Sequence, residues 1–264
     1  VELSAILNAA HRKAKLMPIS ITIAQLTDTH LCCHPDAELR GCRPWHRLKA
    51  VMQRVAQVKP DYLLLTGDIA DTGSPSAYQQ LIDLISPLQI PTYWLSGNHD
   101  CPSVMAEALV HPLFHAPPAV TLGDWQLVLL NSTLPTARFG EGEISQHSLQ
   151  SLAKILEIER PTLIALHHHP LPFGIDWLDQ MQVQNADELL ALIDRASQVQ
   201  AVVFGHIHTT FHQQRGNTHF YGCPSTCLQL DLPQAMPKDK QPGFRLLHLH
   251  PDGTHQTEIY RVVV

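Results

Sequence analysis

Short apolar runs alternate with amphipathic stretches along most of this chain, and the apolar runs stop abruptly. Ile19 to Leu26 is β-branched and apolar, and Tyr62 to Thr66 is continuously apolar. Pro91 to Leu95, Trp125 to Leu130, Thr162 to Leu166 and Ala201 to Phe204 repeat the type. Runs this short, bounded by turn residues, predict buried strands. Between them, Pro44 to Lys59, Ser76 to Ile85, Ser145 to Glu159 and Ala186 to Ala196 predict helices, the first with Pro in its opening turn. A Pro-punctuated loop precedes Trp125. Buried strands alternating with helices predict β-α-β units around a central sheet.

Beyond residue 209 the pattern becomes strand after strand. Phe211 to Gln214, His219 to Tyr221, Thr226 to Leu230, Phe244 to His250 and Gln256 to Val263 are broken by Gly-Asn, Pro and Asp-Gly turns. This tail is expected to form a second sheet packed on the first. Residues 1–18 predict a short helical arm ended by Pro18, which leaves 19–264 as a single domain.

The strand ends carry the chemistry. Asp28-Thr29-His30, Gly67-Asp68, Gly97-Asn98-His99-Asp100, His167-His168-His169-Pro170 and Gly205-His206-Ile207-His208 each follow an apolar run. Open α/β sheets bind ligands in a crevice beyond their strand C-termini. Asp28 and His30 are two residues apart, which on extended backbone points both side chains to one side. Sharing one cation is then expected of them, and of His206 and His208. Gly67 lets the backbone come close before Asp68, whose carboxylate has two oxygens with which to bridge two metals. Asn98 offers a neutral oxygen, and His167 an imidazole from another strand, with His168 as the alternative in that register. Singly, Asp28 reads as a loop cap and Gly97-Asn98 as a turn. Three adjacent His have no packing rationale, and five such clusters in order leave little room for coincidence.

Two divalent cations bring four positive charges, while Asp28 and Asp68 return two negative ones. The residual positive charge would attract a phosphodiester anion and acidify a bridging water to hydroxide. With the metals ~3.5–4 Å apart, that hydroxide would attack phosphorus in line.

Composition narrows the partners. The 264 residues are 44% hydrophobic and 16% charged, as in ordinary globular proteins. Eighteen Lys and Arg against 24 Asp and Glu give −6, so no long nucleic acid is expected, and Arg12, Lys13 and Lys15 read as a solvated face. His at 34, 46, 111, 115, 147, 212, 219, 248, 250 and 255 match no cluster and read as surface or packing residues. The six Cys contain no C-x-x-C pair and read as free thiols in a reducing cytoplasm. Oxidation at Cys32 and Cys33 would disturb the first cluster. No apolar run reaches the ~20 residues of a membrane span. No signal-peptide pattern opens the chain, so a cytoplasmic location is expected. The first residue is Val1, which suggests that a few native residues precede it.

The ordered set D-x-H, G-D, G-N-H-D, H-x-x-P and G-H-x-H resembles the calcineurin-like metallophosphoesterase superfamily, from about Ile19 to Val262. HHHPLPFGIDWLDQ (167–180), GHIH (205–208), PSTCLQ (224–229) and PGFR (242–245) resemble the bacterial class III cyclic-nucleotide phosphodiesterases. The resemblance implies an α/β, four-layer fold: two mixed β-sheets packed face to face with helices on the outside. It implies two divalent metal ions per chain, Fe²⁺ or Mn²⁺ with Zn²⁺ as an option, and hydrolysis of 3′,5′-cyclic AMP to 5′-AMP. Asp28, His30, Asp68 and His208 would hold one ion, and Asp68, Asn98, His167 and His206 the other. His99 would contact the phosphate and protonate the leaving 3′-oxygen, oriented by Asp71 or Asp100. His30, Asp68, Asn98, His168 and His208 would also meet the substrate. Trp177 and the 133–143 loop are positional candidates for the base. Open alternatives are another small phosphodiester or monoester, such as a glycerophosphodiester, and a scaffold like the small retromer subunit. The filled ligand positions argue against the scaffold. A homodimer is an open option.

Overall fold

The computed structural model describes residues 20–264. The helical arm expected over 1–18 and the start of the first strand at Ile19 lie outside the described residues. Each predicted strand before residue 209 is present within two residues of its expected ends. In chain order these elements are β1 (Ile21–Leu26), α1 (Pro44–Val58), β2 (Tyr62–Thr66), α2 (Pro75–Ile85) and β3 (Thr92–Leu95). The Pro-punctuated region holds α3 (Pro102–Ala108), β4 (Phe114–His115) and β5 (Ala119–Leu122). Then come β6 (Trp125–Leu129), α4 (Gln146–Ile155), β7 (Thr162–Ala165), α5 (Asp176–Asp179), α6 (Ala186–Arg195) and β8 (Val199–Phe204). The tail contributes β9 (Phe211–Arg215), β10 (Thr218–Gly222), β11 (Gly243–Leu249) and β12 (His255–Arg261).

Two six-stranded sheets form, ordered β12-β11-β1-β2-β3-β4 and β5-β6-β7-β8-β10-β9. In each, parallel strands occupy the centre; antiparallel partners flank both sides of the second sheet, but only the β11–β12 side of the first, whose β4 edge is parallel. Alternation along each strand builds four layers. Leu64, Leu163 and Val203 meet between the sheets. Leu63 and Leu65 turn outward to α1, α2 and α3, and Ile164 and Val202 turn outward to α4, α5 and α6. The apolar runs Leu63-Leu64-Leu65 of β2 and Leu163-Ile164-Ala165 of β7 are therefore buried on both faces, as central parallel strands must be.

The tail differs from expectation. It does not form a sheet of its own: β9 and β10 extend the second sheet beside β8, while β11 and β12 extend the first beside β1. Thr226 to Leu230 is not a strand. The Thr226 N–H is taken by Thr27 O, the Cys227 N–H by Ser225 Oγ and the Leu230 N–H by His208 O, so no ladder remains for it to join. Helix α4 stops at Ile155, short of the expected Glu159, in 3₁₀-type turns ahead of Pro161. Among the described residues no helix is long and apolar enough to cross a membrane.

Candidate metal centre

Five loops converge where the two sheets meet: those after β1, β2 and β3 from one sheet, and after β7 and β8 from the other. Backbone bonds lash them together, with Asp28 N–H to Gly67 O at 3.0 Å, His30 N–H to Asp68 O at 2.9 Å and Gly205 N–H to His167 O at 3.1 Å. Left-handed backbone is costly for residues with a Cβ, and it clusters here. Among the described residues the non-glycine positions with positive φ are Asp28, His30, Asp68, His206, His208, Arg40, Lys59 and Gln89. Lys59 and Gln89 are ordinary helix C-caps. The other six line or build this crevice. Gly97 has no room for a side chain, because a Cβ would run into the Asp68 carboxylate and backbone.

The side chains sort into two groups. Asp28, His30 and His208 point together, with His208 Nε2 at 3.3 Å from Asp28 Oδ1 and at 3.2 Å from His30 Nε2. On the other side, His167 Nε2 lies 3.1 Å from Asn98 Oδ1 and 3.3 Å from His206 Nδ1. Asp68 Oδ2 stands between the groups, 3.8 Å from His30 Nε2 and 3.4 Å from His167 Nε2. Its other oxygen is taken by the His99 N–H at 2.8 Å, so Oδ2 alone faces both sides. The spacing argument needs correction here. Asp28 and His30 do converge, but on left-handed rather than extended backbone, and His206 and His208 part to different groups for the same reason.

Asp28 and Asp68 are fully buried, and among the described residues neither has a Lys or Arg partner. Burial alone would raise both pKa values. His208 and His167 outweigh it at Asp28, and His167, His30 and His99 hold Asp68 well below the ordinary carboxylate range. Burial also opposes charge on His167, yet the Asp68 and Asp28 carboxylates push its pKa up to about 9. His206 goes the other way: burial and the neighbouring imidazoles hold it well below its usual value, so it is a neutral ring with a lone pair to offer. Its Nε2 is buried without a partner. Two buried carboxylates without a Lys or Arg partner among the described residues draw protons onto His167 and His208, the place that divalent cations would take. These residues fit a pair of divalent cations. Outer contacts already aim the rings, with His167 Nδ1 donating to Thr66 O at 2.7 Å and His30 Nδ1 at 3.2 Å from Asp71 Oδ1.

The remaining predicted residues are less uniform. His99 is partly exposed at the pocket, and its Nδ1 donates to the Asp71 backbone carbonyl at 2.9 Å. The Asp71 carboxylate is nearer His30 than His99. Asp100 faces away as a brace, accepting from Gly97, Ile69 and Ala70 N–H and from Tyr78 OH. His168 is fully buried behind His167 with Nδ1 2.8 Å from Ser132 Oγ, and it does not line the pocket expected to receive substrate. A cavity of about 450 Å³ opens over the two groups. Trp177 lines it, and the 133–140 stretch lines an adjoining one with Asn98 and His99. Sequence reasoning missed Arg40, Met181 and the 228–231 wall. Nothing in the local pattern pointed to any of them.

A sequence profile described as calcineurin-like phosphoesterase matches residues 21–210. The chain is 42% identical to a 3′,5′-cyclic-nucleotide phosphodiesterase of Nostoc sp., covering 92% of this chain and 93% of that one. It is 36% identical to the 3′,5′-cyclic adenosine monophosphate phosphodiesterase of Pseudomonas aeruginosa, covering 96% and 94%. Its fold resembles a dimetal phosphatase from Danio rerio, with a TM-score of 0.65 at 13% identity, covering 93% of this chain and 100% of that one. The profile begins at β1 and ends just past Gly205-His206-Ile207-His208, so it spans all five loops that meet at the seam. This chain belongs to the calcineurin-like phosphoesterase family.

Proposed function

We propose that this protein is a cytoplasmic dinuclear-metal phosphodiesterase that hydrolyses 3′,5′-cyclic AMP to 5′-AMP. One observation carries the reading: two sets of ligand-type side chains share Asp68 Oδ2 at the floor of a cavity of about 450 Å³. That volume lies in the usual range for small-molecule sites. The names of the Nostoc and Pseudomonas relatives support the cyclic-nucleotide substrate.

Asp28, His30, Asp68 and His208 hold one cation, and Asp68, Asn98, His167 and His206 hold the other. Bound there, such ions supply Lewis acidity toward phosphate and lower the pKa of a coordinated water. Oxygen and nitrogen donors of this kind suit iron or manganese, with zinc also accepted. His99 Nδ1–H is committed to the Asp71 carbonyl, which fixes the ring and leaves Nε2 to donate to the phosphate and to protonate the departing 3′-oxygen. Asp71 serves both rings, His99 through its carbonyl and His30 through its carboxylate. Arg40 at the rim adds a cation toward the phosphate, and Trp177, Leu228, Leu230 and Met181 give the purine an apolar wall.

The test compares turnover of 3′,5′-cyclic AMP, 2′,3′-cyclic AMP and glycerophosphodiesters by enzyme reloaded with Mn²⁺ or Fe²⁺. Highest kcat/KM on 3′,5′-cyclic AMP is expected. Preference for a glycerophosphodiester would reassign the substrate, and absence of turnover on bis-p-nitrophenyl phosphate with either metal would overturn the enzyme reading.

A further inference from the structure

Two thiols press against each other beside the pocket, neither of them lining it. Cys42 Sγ and Cys227 Sγ are 3.4 Å apart; both are buried and both are free. Cys42 closes a tight turn, in which Leu39 and Cys42 exchange backbone bonds of 2.8 and 3.0 Å. Between them Arg40 and Gly41 have φ of 48° and 80°, as a type I′ turn requires. Arg40 at its tip lines the pocket, and α1 begins just after it. Cys227 belongs to the facing wall, where Leu228, Gln229, Leu230 and Asp231 line the same pocket.

That wall is anchored to the candidate metal loops. Thr226 N–H donates to Thr27 O at 3.1 Å, Ser225 Oγ–H to Asp28 O at 2.7 Å and Leu230 N–H to His208 O at 3.0 Å. From α1, Arg47 reaches across to Cys227 O at 2.6 Å. The thiol pair thus spans the seam between the Arg40 turn and the 228–231 wall.

We infer that Cys42 and Cys227 are a site of reversible disulfide formation, which pins the two pocket walls together and lowers turnover. The effect on turnover rests on the phosphodiesterase reading of this pocket; the cross-link does not. An S–S bond is ~2.05 Å long, so the two sulfurs close by more than about 1 Å, through side-chain rotation together with movement of the turn and the wall that carry them. Cys42 keeps a trace of exposure and Cys227 has none, so Cys42 is the sulfur that a small oxidant meets first. The S–H of Cys227 pulls the Cys42 thiol down to about 7 against its burial, with Arg47 helping. A thiolate share at neutral pH follows. With a peroxide as oxidant, the Cys42 thiolate attacks one peroxide oxygen, giving a sulfenic acid and hydroxide. The Cys227 thiol then attacks that sulfur and expels water. Overall, two thiols and one hydrogen peroxide give one disulfide and two waters.

The test uses Mn²⁺-loaded enzyme, purified under reduction, treated with hydrogen peroxide, capped with N-ethylmaleimide and mapped by peptide mass. The expected result is a Cys42–Cys227 cross-linked peptide lighter by two hydrogens. With it, kcat/KM on bis-p-nitrophenyl phosphate falls by about tenfold or more, chiefly through KM, because the cross-link ties the Arg40 turn to the 228–231 wall. Dithiothreitol restores it. Cys42→Ser and Cys227→Ser turn over normally and lose the peroxide sensitivity. A missing cross-link overturns the inference. So does a cross-link that leaves KM unchanged, or equal sensitivity in the variants, which would assign the loss to oxidation elsewhere. If the variants do not fold, the wild-type cross-link and its reversal still decide. Reduced enzyme without any turnover would sink the phosphodiesterase reading, while the mass map still scores the disulfide.

Discussion

Histidines gather at both ends of the sheet sandwich, and the two gatherings behave oppositely. At the strand C-termini, His30, His167, His206 and His208 surround two buried carboxylates. At the far end, where Ile21 of β1 pairs with Leu249 of β11, His212, His219, His250 and His255 gather with Tyr221 and Trp125. There, His212 Nε2 lies 3.1 Å from His219 Nδ1, and His255 Nε2 lies 3.1 Å from Tyr221 OH. Burial opposes charge at His167 and at His255 alike. Asp68 and Asp28 overturn it at the first and push the pKa up to about 9. At the second, burial is reinforced by His219, His212 and His250, and the pKa falls to about 4. A cluster of imidazoles is therefore not a cation site by itself. Buried carboxylates make it a candidate one, and those stand at the C-terminal end of the strands, whereas Asp252 beside His250 is exposed.

Removing the shared carboxylate should erase the contrast. Asp68→Ala deletes the one atom that faces both ligand groups, so metal content should fall from two ions toward none and turnover to background. Elemental analysis beside the cyclic AMP assay measures both, and normal turnover in this variant would refute the bridge. His99→Ala should separate holding from chemistry: both ions stay while kcat falls by about 10²–10⁴, the usual scale for a lost general acid. Loss of metal instead would make His99 a ligand.

Those expectations come from residues the sequence already singled out, and the reason they were legible is local. Each candidate ligand lies within a few residues of the end of an apolar strand, so strand patterning and chemistry fall close together, as at Leu63-Leu64-Leu65 before Gly67-Asp68. The division of ligands into two groups was not legible from spacing, because left-handed φ at His206 and His208 cancels the two-residue alternation. Nor was the destination of the tail. Which sheet each tail strand joins is decided by pairings that the local pattern does not name: β9 pairs β10 beside β8, and β11 pairs β1. Arg40 and the 228–231 wall reach the pocket through such contacts too, and so escaped a reading confined to neighbours.

A smaller effect tests how the site keeps a neutral histidine at its back. Burial, then repulsion from His167, holds His168 well below its usual pKa, and Ser132 Oγ is its polar side-chain partner. Ser132→Ala leaves a buried ring nitrogen unpaired, a loss of roughly 1–3 kcal/mol. Thermal melting should drop by several degrees while both ions are retained. An unchanged melting temperature would mean that the hydroxyl contributes nothing to stability.

The smallest effect belongs to the far cluster and depends on pH. Burial and the neighbouring imidazoles lower the His255 pKa in the folded protein to about 4 from the usual 6.5 of a free imidazole. Between those values the unfolded chain binds the proton and the folded one resists it, so stability rises with pH across that window and is lost as pH falls through it. The full shift would be worth roughly 3 kcal/mol. The ring is only partly buried, and solvent screening cuts this to on the order of 1 kcal/mol. His255→Gln keeps a polar partner for Tyr221 OH and removes the titration. Its melting temperature should therefore fall less than that of the parent between pH 7 and pH 4.5, by about 2–4 °C. Both proteins carry the same candidate metal ligands, whose own acid lability cancels in the difference. Parallel curves would mean that His255 is protonated as readily folded as unfolded, and the two histidine clusters would then differ less than their surroundings imply.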